Sequence, residues 1–116
     1  MVVVSEAQVL KNIKLTLSLF VPEVIWIDRL QSGTVRAGSS WIHMCKPGTP
    51  DLYAVVKHGG GHVVFIECKS LKGKQSFDQK RFEFKLYGMK NIHYVLARSC
   101  DDVVAYIKKN IIEGGS

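Results

Sequence analysis

The chain is 116 residues long and 47% hydrophobic, enough for one domain with a single core and too short for a multidomain machine. Lysine and arginine number 16 against 10 acidic residues, and the resulting net charge of +6 favours polyanionic partners such as nucleic acid or an acidic membrane surface without naming one. Charged residues make up only 22% and the apolar residues come in ordered runs, so the composition of an intrinsically disordered chain is excluded. Cys45, Cys68 and Cys100 lie far apart with no CxxC spacing, which points to reduced thiols rather than a disulfide framework or a zinc ribbon. The opening Met1-Val2-Val3-Val4 has no basic n-region, and no run approaches the ~18 apolar residues of a membrane span, so a soluble cytoplasmic protein with no membrane partner is expected.

Ser5-Glu6-Ala7-Gln8 matches a capping box, and Val9, Leu10, Ile13, Leu17 and Phe20 then recur at helical spacing until Pro22, predicting a first helix from about Glu6 to Leu19. Val24–Arg29 is short, β-branched and aromatic, and reads as a strand. The stretch from Gly33 to Pro50 is rich in glycine, serine and proline and reads as a long loop, with a short strand possible at Trp41-Ile42-His43-Met44. Leu52–Lys57 and His62–Lys69 are apolar runs separated by His58-Gly59-Gly60-Gly61, the pattern of a β-hairpin at the centre of a sheet. Ser76-Phe77-Asp78-Gln79 is a second capping box, opening an amphipathic helix expected to turn Phe77, Phe82, Leu86 and Tyr87 inward before Gly88. Ile92–Ala97 reads as the next strand, and Ser99 as the cap of a last helix through Val103, Val104, Ile107 and Ile111, with Gly114-Gly115-Ser116 a frayed end. The order αβββαβα predicts an α/β fold: one mixed central sheet flanked by helices, in a single domain spanning 1–116.

That order places chemistry. Asp51 starts one hairpin strand and Glu67-Cys68-Lys69 ends its partner, so antiparallel pairing brings these ends together. Period-two alternation puts Glu67 and Lys69 on one face and the Cys68 side chain on the other. Ionisable groups beside strands this apolar must pair with each other or with a metal. Two carboxylates without soft ligands nearby suit a hard divalent cation, magnesium or manganese.

Pro50-Asp51 followed by Glu67-Cys68-Lys69 resembles the signature of PD-(D/E)XK nucleases. Gly48-Thr49-Pro50-Asp51-Leu52, Phe65–Lys69, Gly73-Lys74-Gln75-Ser76, Gln79, Phe82 and Ala97-Arg98-Ser99 are similar to its VRR-NUC branch, over about Glu6 to Ile107. The resemblance implies a restriction-endonuclease-like core and a metal-dependent DNA endonuclease leaving 5′-phosphate and 3′-hydroxyl ends. In that branch, stand-alone domains of this size occur in phages and bacteria. By the same implication Asp51, Glu67 and the backbone carbonyl of Cys68 ligate the metal and Lys69 polarises the attacking water. Gln79 orients Lys69 or the water, and Glu6 matches the family's acidic residue on the first helix, completing the metal shell.

Plainer accounts stand beside these. Asp51 is also a turn aspartate after proline, and Glu67 with Lys69 also makes a same-face ion pair. Gln79 is explained by its capping position, and Glu6 by the helix dipole. Lys72, Lys74, Lys80 and Arg81, continued by Lys85 and Lys90, form either a DNA-backbone track or a solvated face; beside a phosphodiesterase site the track is favoured. Arg29 and Arg36, with Trp41, either hold nucleic acid on the way into the site or simply pack. The four histidines lack metal-ligand spacing. A domain this small reads backbone shape more readily than base sequence, so branched or four-way junction DNA is the expected partner, met by a two-fold homodimer. The alternative from another class is a non-catalytic nucleic-acid-binding module with the same fold.

Overall fold

A computed structural model describes residues 4–30 and 33–114; Met1–Val3 and the last two glycine and serine positions of the expected frayed end lie outside them. In chain order come α1 (Glu6–Phe20), β1 (Val24–Arg29), β2 (Gly33–Ala37), β3 (Ser40–Cys45), β4 (Leu52–Val56), β5 (His62–Cys68), α2 (Phe77–Lys85), β6 (Ile92–Ala97) and α3 (Cys100–Ile107), whose winding loosens to π over Lys108–Glu113. Four strands form a mixed sheet in the order β1-β4-β5-β6, with β6 parallel to β5 and the other neighbours antiparallel. A parallel pair cannot be joined by a tight turn, and α2 is the crossover that joins this one. The two most apolar runs, β4 and β5, take the central positions, as their composition predicts. Between them the chain reverses through Gly59, Gly60 and Gly61, all at positive φ, a conformation that costs glycine nothing.

Alternation along the strands sorts the side chains. Leu52, Ala54, Val56, Val64, Ile66 and Cys68 face Val9, Ile13 and Leu17 of α1 and Val103 and Ile107 of α3, and these residues are the core. Each buried aliphatic side chain here contributes about 1.5–3 kcal/mol from its removal from water. The opposite face of the sheet is only half-covered. There Phe82 of α2 meets Phe65 edge-on, ring centres 5.2 Å apart, and lies 6.1 Å from Tyr94. No helix among the described residues is long and apolar enough to cross a membrane.

Several expectations are corrected. The Gly33–Pro50 stretch is not mainly loop: β2 and β3 pair as a hairpin around Gly38-Ser39, with Gly38 at φ 62. Glycine at the first central position is what a two-residue turn requires, but strands this short, with so many glycines and serines around them, give little periodicity. Phe77 and Tyr87 do not turn inward; both are exposed, as is Phe20 at the end of α1. α2 buries none of its residues, because it meets the sheet through Phe82 rather than along a full stripe. Ser99 precedes α3 without a side-chain cap bond; Asp102 instead accepts from the Arg98 amide at 2.8 Å. The Ser76–Gln79 capping box is complete, whereas at α1 only its serine half forms and Gln8 donates to Asn12.

At the glycine-turn end of the sheet, His93 Nε2 lies 2.8 Å from His62 Nδ1, and His93 Nδ1 lies 2.9 Å from the Tyr106 hydroxyl. Burial, and then the neighbouring His62, hold the His93 pKa below its ordinary value. The unfolded chain therefore binds this proton more readily, and the stability His93 confers is lost as pH falls below about 6.5. Thermal melts between pH 7.5 and 5.5 should fall more steeply for wild type than for His93→Gln; parallel slopes would exclude His93 as the titrating group.

Candidate metal centre

Pairing of Leu52 with Ile66 sets the hairpin register and brings Asp51, just before β4, beside the end of β5. Asp51 is fixed through its backbone and its side chain. Its carbonyl accepts from the Leu30 amide at 2.8 Å, and its Oδ2 accepts from the Cys68 amide at 2.8 Å. The loop leading to it passes against α2 at Gly48, which has φ 90; a Cβ there would collide with the Asp78 carbonyl. Glycine is required at that position on both counts.

Glu67 is 1% exposed, and its Oε1 has no hydrogen-bond partner. Its Oε2 lies 4.0 Å from Lys69 Nζ, the two residues sharing a face as alternation predicts. Carboxylate oxygens of Glu6, Asp51 and Glu67 all lie within 4.8 Å of one another. Three of the chain's ten acidic side chains thus meet at one point of a net-positive protein. Burial, and next the Asp51 carboxylate, push the Glu67 pKa up to about 8; Lys69 offsets this only in part. An orphaned buried oxygen among three hard oxygen donors fits a divalent cation such as Mg2+ or Mn2+, which takes carboxylates and would return the Glu67 pKa to the ionised range.

The Cys68 thiol belongs to the core, and burial pushes it up to about 12, so it stays protonated and only the backbone of Cys68 meets the carboxylates. Lys69 is buried, and its amide donates to the Ala97 carbonyl at 2.9 Å. Gly73 packs on its stem, a Cβ at Gly73 standing 3.4 Å from Lys69 Cδ. That loop is pinned by Arg98, whose Nη1 donates to the carbonyls of Ser70, Leu71 and Gly73, the last at 2.7 Å. This role of Arg98 was not readable from its motif. The available signal was positional: parallel pairing of β5 with β6 puts the residue after Ala97 beside the residue after Cys68.

The remaining candidates fall into two groups. Arg29 is paired with Leu52, next to Asp51, and Lys72 and Lys74 are exposed on the loop after Lys69. Lys80 and Arg81 are exposed on α2. Gln79 has its side-chain oxygen bound to the Ser76 amide at 2.8 Å, leaving only its amide nitrogen for any task at Lys69. Arg36 is engaged within the β2–β3 hairpin, its guanidinium 5.9 Å from the centre of the Trp41 ring and its Nε donating to the Gly38 carbonyl at 3.2 Å. Those contacts do not bring it to the carboxylates.

The chain matches no family model, no curated protein and no solved structure.

Glu67 yields a direct test. A carboxyl whose pKa is raised on folding stabilises below about pH 4.5, and that contribution is lost as pH rises towards 8. In EDTA, Glu67→Gln should therefore match wild type near pH 5 and exceed its stability by up to a few kcal/mol above pH 8 in urea unfolding. A variant no more stable than wild type at the higher pH would contradict the buried-charge account.

Proposed function

We propose that the protein is a metal-dependent DNA endonuclease with a restriction-endonuclease-like core, of the PD-(D/E)XK type and similar to stand-alone VRR-NUC domains of phages and bacteria. The observation that carries this reading is the convergence of Asp51, Glu67 and Glu6 within 4.8 Å, one oxygen buried and unpartnered, with the Lys69 ammonium 4.0 Å from Glu67. Ion-pair formation alone accounts for one carboxylate beside Lys69, not for three. The strand order supports the same reading, since the two signature strands are the central antiparallel pair and the α2 crossover follows them.

Phosphodiester hydrolysis needs an activated water in line with the leaving oxygen and positive charge against the developing phosphorane. A bound Mg2+ or Mn2+ supplies that charge and acidifies water. Asp51, Glu67 and the Cys68 carbonyl would hold the ion, with Glu6 at the exposed side of the set. Lys69, held by Gly73 on its stem, donates hydrogen bonds to the attacking water and to a non-bridging phosphate oxygen. The water oxygen bonds to phosphorus as the P–O3′ bond breaks, the water's proton passes to solvent and the departing 3′ oxygen takes one from solvent, which leaves 5′-phosphate and 3′-hydroxyl ends. Arg29, Lys72, Lys74, Lys80 and Arg81 bind backbone phosphates, and recognition is of DNA shape, with branched or four-way junction DNA the preferred substrate. A two-fold homodimer would set two such sites on two strands of a junction.

Labelled four-way junction, flap, single-stranded and linear duplex DNA should be incubated with Mg2+ or Mn2+. Branched forms should be cut, EDTA should abolish cutting, and Lys69→Ala should slow it by about 10²–10³-fold. Metal-independent cutting, or full activity in Lys69→Ala, would overturn the mechanism. DNA binding without any cutting would leave a binding module in its place.

A further inference from the structure

α2 carries two exposed phenylalanines that the proposed chemistry does not use, set among the cations it assigns to phosphate. Phe77 is 76% exposed and Phe84 79% exposed. They stand seven residues apart with Lys80, Arg81 and Lys85 at helical spacing between and beside them, and these five side chains line one shallow groove of about 340 Å3. Arg81 and Lys85 also border a second groove, of about 620 Å3, whose far wall is Lys46, Pro47 and Thr49 on the loop leading to Asp51. The first turn of α2 packs against the loop leading to Asp51, where Gly48 backs directly onto Asp78.

Two phenylalanine rings this exposed on one face are not core residues, and the three cations around them define what could cover them. A second copy of the chain meeting this face about a two-fold axis would set three cations against three. A polyanion gains from the same charges. Base pairs within a duplex keep their faces stacked on one another, whereas unpaired bases offer theirs to aromatic side chains while flanking cations take the phosphates. Seven residues of helix rise about 10.5 Å, roughly three times the ~3.4 Å spacing along a nucleic-acid strand, so the two rings are separated by the length of a short base stack.

We infer that the outer face of α2 binds an unpaired DNA strand, with bases on Phe77 and Phe84 and phosphates on Lys80, Arg81 and Lys85. This rests on the nuclease reading and deepens it: the substrate is DNA with an unpaired segment, as at a flap, gap or opened branch point, held on the helix that borders the loop leading to Asp51.

Binding of a labelled single-stranded oligonucleotide and of a blunt duplex of equal length is to be measured by fluorescence anisotropy in EDTA, where no cutting occurs. The double variant Phe77→Ala/Phe84→Ala should bind the single strand at least tenfold more weakly, with duplex affinity and the salt dependence of binding unchanged. Lys80→Ala/Arg81→Ala should weaken binding and make it less salt-dependent. The phenylalanines are exposed, so thermal stability should be unaltered in the first variant, and a melt verifies this. Equal single-strand affinity in wild type and the phenylalanine variant overturns the inference. So does equal loss on duplex, or conversion of a dimer to a monomer by light scattering with DNA binding intact, which would assign the face to a second copy. Cleavage in Mg2+ separates the two readings: cutting by wild type with no single-strand defect in the variant removes only this surface, and a single-strand defect in a protein that never cuts removes only the nuclease.

Discussion

Glu67 is buried among strands that are otherwise apolar, and among the described residues its one ion-pair contact is with Lys69, at 4.0 Å. One oxygen has no partner, and two further carboxylates approach within 4.8 Å. Burying a carboxylate unpaired costs several kcal/mol, and crowding it with like charge adds to that cost. The protein keeps the group by raising its pKa, and a divalent cation would neutralise the whole set at once. The rest of the site is arranged around that requirement.

Register does most of the arranging. The hairpin of β4 and β5 is closed by three glycines at its far end, so pairing runs without a slip from His62 to Ile66 and delivers Asp51 to the Cys68 amide. A one-residue slip would turn Glu67 and Lys69 into the core and Ile66 and Cys68 out of it. The crossover through α2 returns the chain as β6, which brings Arg98 to the loop after Lys69. α1 supplies Glu6 from its first turn while its Val9, Ile13 and Leu17 seal the same strands from behind. Core packing and site geometry are thus set by the same two strands, whose alternate residues serve one or the other.

Much of this was legible in the sequence because it depends on local pattern. β1 and β6 have the bounds their β-branched runs predict, the Ser76 capping box forms in full, and the Asp51, Glu67 and Lys69 convergence follows from a hairpin and a period of two. What was not legible depends on tertiary arrangement. The β2–β3 hairpin is too short for its alternation to show, and the outward turn of Phe77 is invisible to a helical pattern that treats every aromatic as a core residue. Arg98 acts on carbonyls 25–28 positions away, a relation no spacing rule encodes. At Gln79 the sequence left two roles open, capping from its position and a part in the site from the resemblance, and capping takes up its oxygen.

Calorimetric titration of Mn2+ into the metal-free protein near neutral pH interrogates the carboxylate set itself. One saturable phase is expected, abolished in Asp51→Asn, with a heat that varies with the buffer because Glu67 gives up its proton as the ion enters. Absence of saturable binding, or binding that survives in Asp51→Asn, would show that these carboxylates hold no ion.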